Sequence, residues 1–178
     1  LATQKEKLLV FNPNANKSRG KYIFSITADE AGNLWLGTGA GLVKFDPVTE
    51  KYIRYKNDPE NPGSISSNNI FYSFFDHNKN LWAACDSGIS SMDGATGQFT
   101  NYNVLQIAGN YTWFEVNRIT EDPEHNIWLT ANWGLYKLDI KTGKFRKYID
   151  DDLRSICVDT NGRVWAGGWM GLYAFNKT

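Results

Sequence analysis

Asp29-Glu-Ala-Gly-Asn-Leu-Trp-Leu-Gly-Thr-Gly-Ala-Gly-Leu42 reads as a polar turn, a short apolar strand carrying Trp35, and a glycine, Gly41, that opens a second apolar strand. Three other stretches repeat it: Asp76-His-Asn-Lys-Asn-Leu-Trp-Ala-Ala-Cys-Asp-Ser-Gly-Ile89, Asp122-Pro-Glu-His-Asn-Ile-Trp-Leu-Thr-Ala-Asn-Trp-Gly-Leu135 and Asp159-Thr-Asn-Gly-Arg-Val-Trp-Ala-Gly-Gly-Trp-Met-Gly-Leu172. The repeat tryptophans Trp35, Trp82, Trp128 and Trp165 are 47, 46 and 37 residues apart, and Gly41, Gly88, Gly134 and Gly171 follow them at one fixed distance. A strand-built unit recurring every ~40 to 50 residues marks β-propeller blades, whereas helical repeats would need a 3.6-residue apolar period that is missing here. The fold class is therefore all-β: a propeller of about four blades, each a four-stranded antiparallel sheet.

Turn chemistry divides each repeat into four strands. An inner strand precedes the Asp turn, with apolar residues such as Ile23, Ile26, Ile70, Val116, Ile119, Leu153 and Ile156. The Trp strand follows and is almost continuously apolar, as expected where neighbouring sheets cover both faces. Its tryptophan should fill the space between blades. After the glycine comes a third strand (Leu42-Val-Lys-Phe45, Leu135-Tyr-Lys-Leu138), and beyond a Thr-Gly turn an outer strand (Phe99-Thr-Asn-Tyr102, Phe145-Arg-Lys-Tyr148). The Phe-to-Tyr spacing of three departs from strict alternation and predicts a bulge or a strong twist in the outer strands.

These boundaries make residues 1–178 one propeller segment, with blades over 23–57, 69–103, 115–149 and 153–176, the last lacking an outer strand. Residues 8–22 read as the end of a preceding blade, because Leu8-Leu-Val-Phe-Asn-Pro13 copies Leu42-Val-Lys-Phe-Asp-Pro47. A piece of a longer propeller is the economical reading, since a partial ring exposes strand edges and apolar faces. The alternative is a closed four-bladed ring in which the stretch from Gln4 to Phe11 supplies the missing outer strand.

Lys plus Arg and Asp plus Glu both total 19, so no broad basic footprint marks a nucleic-acid or membrane surface, and neither partner is expected. No 18-residue apolar run occurs, and the first residues lack the basic and apolar regions of a secretion signal. Cys85 and Cys157 lie in different repeats and read as small buried fillers.

The motif Asp-x-x-Gly-Asn-Leu-Trp-Leu-Gly-Thr-x-x-Gly-Leu, with Phe-Asp-Pro after it, resembles the two-component regulator propeller repeat. The connector Asn57-Asp-Pro-Glu-Asn-Pro-Gly-Ser-Ile-Ser-Ser-Asn-Asn-Ile70 is similar to the linker preceding such repeats in hybrid two-component sensors of gut Bacteroidetes. The likeness extends from about Leu8 to Asn176 and is weakest at Ala83-Ala84-Cys85 and Ala166-Gly167-Gly168. It implies a periplasmic or otherwise extracytoplasmic, non-catalytic sensor of oligosaccharides, with membrane, kinase and DNA-binding parts elsewhere.

Catalysis finds little support in the residues. The two histidines, His77 and His125, sit in equivalent turns of successive repeats and read as separate polar turn residues, so no converging acid and base is predicted, as a propeller lyase would need. The Asp turns lack the distal Glu of an EF-hand, no zinc spacing or phosphate loop is present, and neither a metal nor another cofactor is expected.

Loop geography gives the better candidate. In up-and-down blades the crossings from Asn57 to Asn69 and from Asn103 to Glu115 share a face with the loops that follow each Trp strand. That face carries every tryptophan outside the repeat position, Trp113, Trp133 and Trp169. Aromatic rings with amide neighbours suit sugars. The expected platform is Tyr111, Trp113, Trp133 and Trp169, with Asn132, Asn110 and Arg118 as polar contacts. The expected partners are an oligosaccharide or other small ligand, and the rest of a parent propeller or another copy of the chain. A scaffolding or dimerisation propeller is the competing reading, in which the same aromatics contact protein.

Overall fold

The computed structural model describes residues 22–86, 88–104 and 114–175. Blade one comprises β1 (Ile23–Ala28), β2 (Leu34–Thr38), β3 (Gly41–Phe45) and β4 (Tyr52–Tyr55). Blade two comprises β5 (Ile70–Phe75), β6 (Leu81–Cys85), β7 (Gly88–Met92) and β8 (Phe99–Asn103). Blade three comprises β9 (Val116–Glu121), β10 (Ile127–Ala131), β11 (Gly134–Asp139) and β12 (Lys144–Ile149); blade four comprises β13 (Leu153–Val158), β14 (Val164–Gly168) and β15 (Gly171–Phe175). Strands pair antiparallel in chain order, giving three four-stranded sheets and one three-stranded sheet among the described residues. No helix among these residues is long and apolar enough to cross a membrane.

One hydrogen-bond device builds every inner turn. The Asp29 carboxylate accepts the Asn33 backbone N–H at 2.8 Å through Oδ1 and the Trp35 indole N–H at 3.0 Å through Oδ2. The indoles of Trp82, Trp128 and Trp165 donate in the same way to Asp76, Asp122 and Asp159, at 2.9, 2.8 and 2.9 Å. A tryptophan can then be buried without orphaning its N–H. The carboxylate thus closes the turn and fixes the indole at once.

The repeat tryptophans pack as expected. Trp35 joins Ile65, Ile70, Leu81, Met92 and Phe99 of blade two and its approach; Trp82 joins Val116, Ile119 and Ile127 of blade three; Trp128 joins Leu153, Val164 and Ala166 of blade four. Trp165 is only half-buried. On its side of blade four Leu172 is 70% exposed, and Cys157 is exposed rather than the buried filler expected, because no blade among the described residues packs there. Among the described residues no hydrophobic cluster joins blade four to blade one, so the described blades form an open arc, and the stretch from Gln4 to Phe11 on which the closed-ring alternative rests lies outside them. The segment 8–22 lies outside the described residues, Tyr22 excepted.

The outer-strand bulge appears in blade three, where the β11–β12 register shifts between Leu135 and Tyr136, but β7 and β8 pair without interruption. The reason is parity. Residues three apart in a regular strand face opposite ways. Phe99 meets Tyr55 of blade one, with ring centroids 5.7 Å apart, while Tyr102 stacks at 5.6 Å on Trp82, towards blade three.

Gly134 illustrates why a glycine must follow each Trp strand. Its φ is +143°, and an added Cβ would lie 2.2 Å from the Ile149 carbonyl oxygen of the outer strand.

Every inner strand is irregular at the same place: the registers of β1, β5, β9 and β13 skip Phe24, Phe71, Asn117 and Arg154. These bulged residues meet their counterparts in adjacent blades. Phe24 and Phe71 have ring centroids 5.5 Å apart. The Asn117 amide donates to the Leu153 carbonyl at 2.8 Å, and Arg154 reaches the Asn117 side-chain oxygen at 3.5 Å. The inner rim is therefore apolar at blades one and two and polar at blades three and four.

Candidate functional site

The polar half of this rim opens on the face that carries the loops after the Trp strands. The short crossing from blade three to blade four, Asp150-Asp151-Asp152, forms an acidic ridge there. On one side Trp133, 36% exposed, lines a cleft of about 320 Å³ with Asn132 and the three aspartates. On the other side Trp169, 82% exposed, lines a cleft of about 660 Å³ with Arg154, Ser155, Gly167, Gly168 and Gly171. The ridge is stiffened at each step. Lys147 pairs with Asp150 at 2.6 Å, Arg154 with Asp152 at 2.7 Å, and Asp151 accepts the Tyr173 hydroxyl at 3.0 Å. Asp152 Oδ1 is buried without a hydrogen-bond partner, a costly state that a donor entering the cleft would relieve.

The expected site residues divide by location. Trp133 and Trp169 flank the ridge. Asn132 lies close by but is buried and acts as a clamp: its side-chain oxygen accepts the Glu115 N–H at 3.0 Å, while its own N–H donates to the Glu115 carbonyl at 3.2 Å. Arg118 stands apart on the exposed side of β9, donating to the Asn117 carbonyl at 2.7 Å and lying 5.0 Å above the Tyr72 ring. Asn110, Tyr111 and Trp113 lie outside the described residues.

Glu115 belongs to this neighbourhood, although nothing in its sequence surroundings marks it. Burial pushes its carboxyl above the ordinary value; Arg154 opposes the shift, and the negative charges of Asp152 and Asp86 add to it. A carboxyl raised in the folded state favours folding while protonated and loses that contribution as pH climbs from the unfolded value through the folded one. Glu115→Gln is therefore expected to unfold at higher temperature than the parent at pH 7, with the difference shrinking as pH falls below the ordinary carboxyl range. Thermal unfolding at pH 7 and pH 4 checks this.

The expectation that the two histidines stand apart is wrong. Their rings stack with centroids 3.5 Å apart, and both face Glu121. Equivalent turns of successive blades are neighbours around the arc, so different offsets within the turn let the two side chains meet.

Successive up-and-down antiparallel sheets packed face to face around an inner rim define the class: the protein is a β-propeller. The two-component regulator propeller family matches residues 17–40, the first repeat. A histidine kinase of Formosa agariphila is 29% identical over 166 residues, covering 67% of this chain and 12% of the kinase. The extracellular domain of a hybrid two-component system from B. thetaiotaomicron superposes with a TM-score of 0.77 at 25% identity, over 94% of this chain and 24% of that one. The extracellular domain of a one-component system from the same organism gives 0.75 at 20% identity, over 91% of this chain and 22% of that one. The first repeat thus matches the two-component regulator propeller, and the chain folds as part of those extracellular domains does, spanning a small part of each relative.

Proposed function

We propose that this chain is an extracytoplasmic, non-catalytic part of a sensor and that its loop face recognises an oligosaccharide or related hydroxyl-rich ligand. The observation that carries the reading is the pair Trp133 and Trp169, accessible on either side of a fixed ridge of carboxylates with Arg154 beside it. A pyranose ring offers a C–H face to an indole and hydroxyl donors to carboxylates, so an apolar platform beside a few held polar groups fits that chemistry. Binding would bias signalling by favouring one packing of neighbouring blades or subunits.

A second reading has its own support. Met170 and Leu172, 80% and 70% exposed, continue the Trp169 surface on to the uncovered side of blade four, which suits a protein partner better than a sugar. Titration of defined oligosaccharides against tryptophan emission separates the two. The sugar reading expects saturable binding that Trp169→Ala and Trp133→Ala abolish while the unfolding temperature stays near the parent's. No binding in the parent, together with a mass that rises with concentration and falls back in Leu172→Ser, supports the protein-contact reading and overturns the first.

A further inference from the structure

We infer that His77, Glu121 and His125 form a binding site for a borderline divalent transition-metal ion, zinc above all, that ties blade two to blade three. His77 comes from the β5–β6 turn, Glu121 ends β9, and His125 lies in the β9–β10 turn. Their ligand atoms all lie within 4.8 Å of one another. Glu121 Oε1 stands 2.5 Å from His77 Nδ1 and 3.2 Å from His125 Nδ1, and its other oxygen accepts the His77 backbone N–H at 2.8 Å. That backbone bond fixes the carboxylate plane and leaves Oε1 pointing between the two imidazoles.

Comparison of the repeats makes this placement hard to attribute to turn building. Glu121 occupies the position held by Ala28, Phe75 and Val158 in the other blades, yet its side chain is only 11% exposed. His125 has φ +64°, at the turn position where repeats one and four carry Gly32 and Gly162 and repeat two carries Lys79 at φ +66°. A bulky residue there is strained relative to glycine. His77 stands where repeats one, three and four have Glu30, Pro123 and Thr160. Three metal-ligand side chains therefore converge on one spot, and the one of them that is buried, Glu121, stands where every other repeat has an apolar residue.

The chemistry selects the ion. Two imidazoles and one carboxylate suit zinc and its neighbours, whereas calcium and magnesium prefer all-oxygen shells. Tetrahedral bonds of about 2.0 to 2.1 Å put ligand atoms roughly 3.3 Å apart. The His125 to Glu121 separation already matches, the His77 to Glu121 separation has to open by less than about 1 Å, and the two stacked imidazoles have to tilt apart so that both in-plane lone pairs meet the ion. Each imidazole presents Nδ1 as a lone pair once its proton resides on Nε2. The remaining position faces a cleft of about 430 Å³ lined also by Asp93, Tyr102 and Ile140, where water completes the shell. The site lies among the turns that join first and second strands, on the opposite face from the ligand clefts.

The test uses the full chain without a histidine tag, stripped of metal and titrated with zinc chloride, with cobalt chloride as the spectroscopic probe. The expected results are one zinc per chain, an unfolding temperature that rises with zinc concentration, and the visible absorption of tetrahedral cobalt. His77→Ala and Glu121→Gln should lose the cobalt spectrum and the thermal shift. His125→Gly should lose both as well, while unfolding at or above the parent's temperature without metal, because glycine relieves the positive φ. That variant separates loss of metal from loss of fold. No binding by the parent at millimolar zinc, or binding retained in all three variants, overturns the assignment.

Discussion

Trp128→Ala is expected to destabilise the protein by about 3–5 kcal/mol, the range for deleting a large aromatic from a packed core. Trp128 is fully buried, packs at a tilt against Tyr148 and Phe175 with ring centroids 5.0 Å away from each, and shares a cluster with Leu153, Val164 and Ala166 of the following blade. Its removal opens a void across two sheets that the backbones cannot close. Trp165→Ala is the internal control. The same residue at the same repeat position, half-buried and without a following blade, should cost only roughly 1–2 kcal/mol, because most of its surface term is not realised. Urea unfolding of both variants reads the difference directly. Equal losses would mean that the tryptophan acts within its own blade.

Asp122→Ala should cost about 3–4 kcal/mol, for a different reason. This buried carboxylate accepts hydrogen bonds from the backbone N–H groups of Glu124 and Asn126, from the Asn126 amide and from the Trp128 indole. Alanine leaves that indole N–H without a partner where water cannot reach it, and releases the turn together with it. Asp159→Ala, at a half-buried copy of the same turn, should cost less, since the Trp165 N–H can find solvent. The aspartates also link the fold to acid. At Asp29 burial raises the carboxyl pKa, but hydrogen bonds from Asn33 and Trp35 outweigh it and the net shift is downward; at Asp159 the Trp165 indole leads the lowering. A lowered carboxyl contributes stability that is present above the unfolded value of 3.8 and is lost as pH falls through the folded one. A midpoint shift in Asp122→Ala no larger than in Asp159→Ala would remove the argument from burial.

The blade pattern was legible in the sequence because turn, tryptophan and glycine recur at fixed offsets. The six-residue spacing from aspartate to tryptophan was equally visible, but its meaning is a hydrogen bond between side chains, which no apolar pattern encodes. Trp133 and Trp169 could be placed on one face from topology alone. Asn132 could not be recognised as a backbone clamp, because an amide that binds a ligand and one that binds a neighbouring carbonyl or N–H look identical in sequence. The histidine pair was misread for a related reason. Position within a repeat was visible, whereas the reach of two side chains between neighbouring turns depends on how the blades are set side by side. Glu115 and Asp152 fall between recognisable strands, and their character comes from burial and charge in three dimensions.

The odd spacing from Phe99 to Tyr102 has a wider meaning for how the arc holds together. Blade two gives one aromatic backwards and one forwards, so its cohesion passes only to its immediate neighbours, like a link in a linear chain. Among the described residues four links have three joints, and each end link, blade one as well as blade four, is secured on a single side. Fraying should therefore begin at an end blade and travel inwards, and any partner that covers an open side strengthens the whole series by adding one more joint.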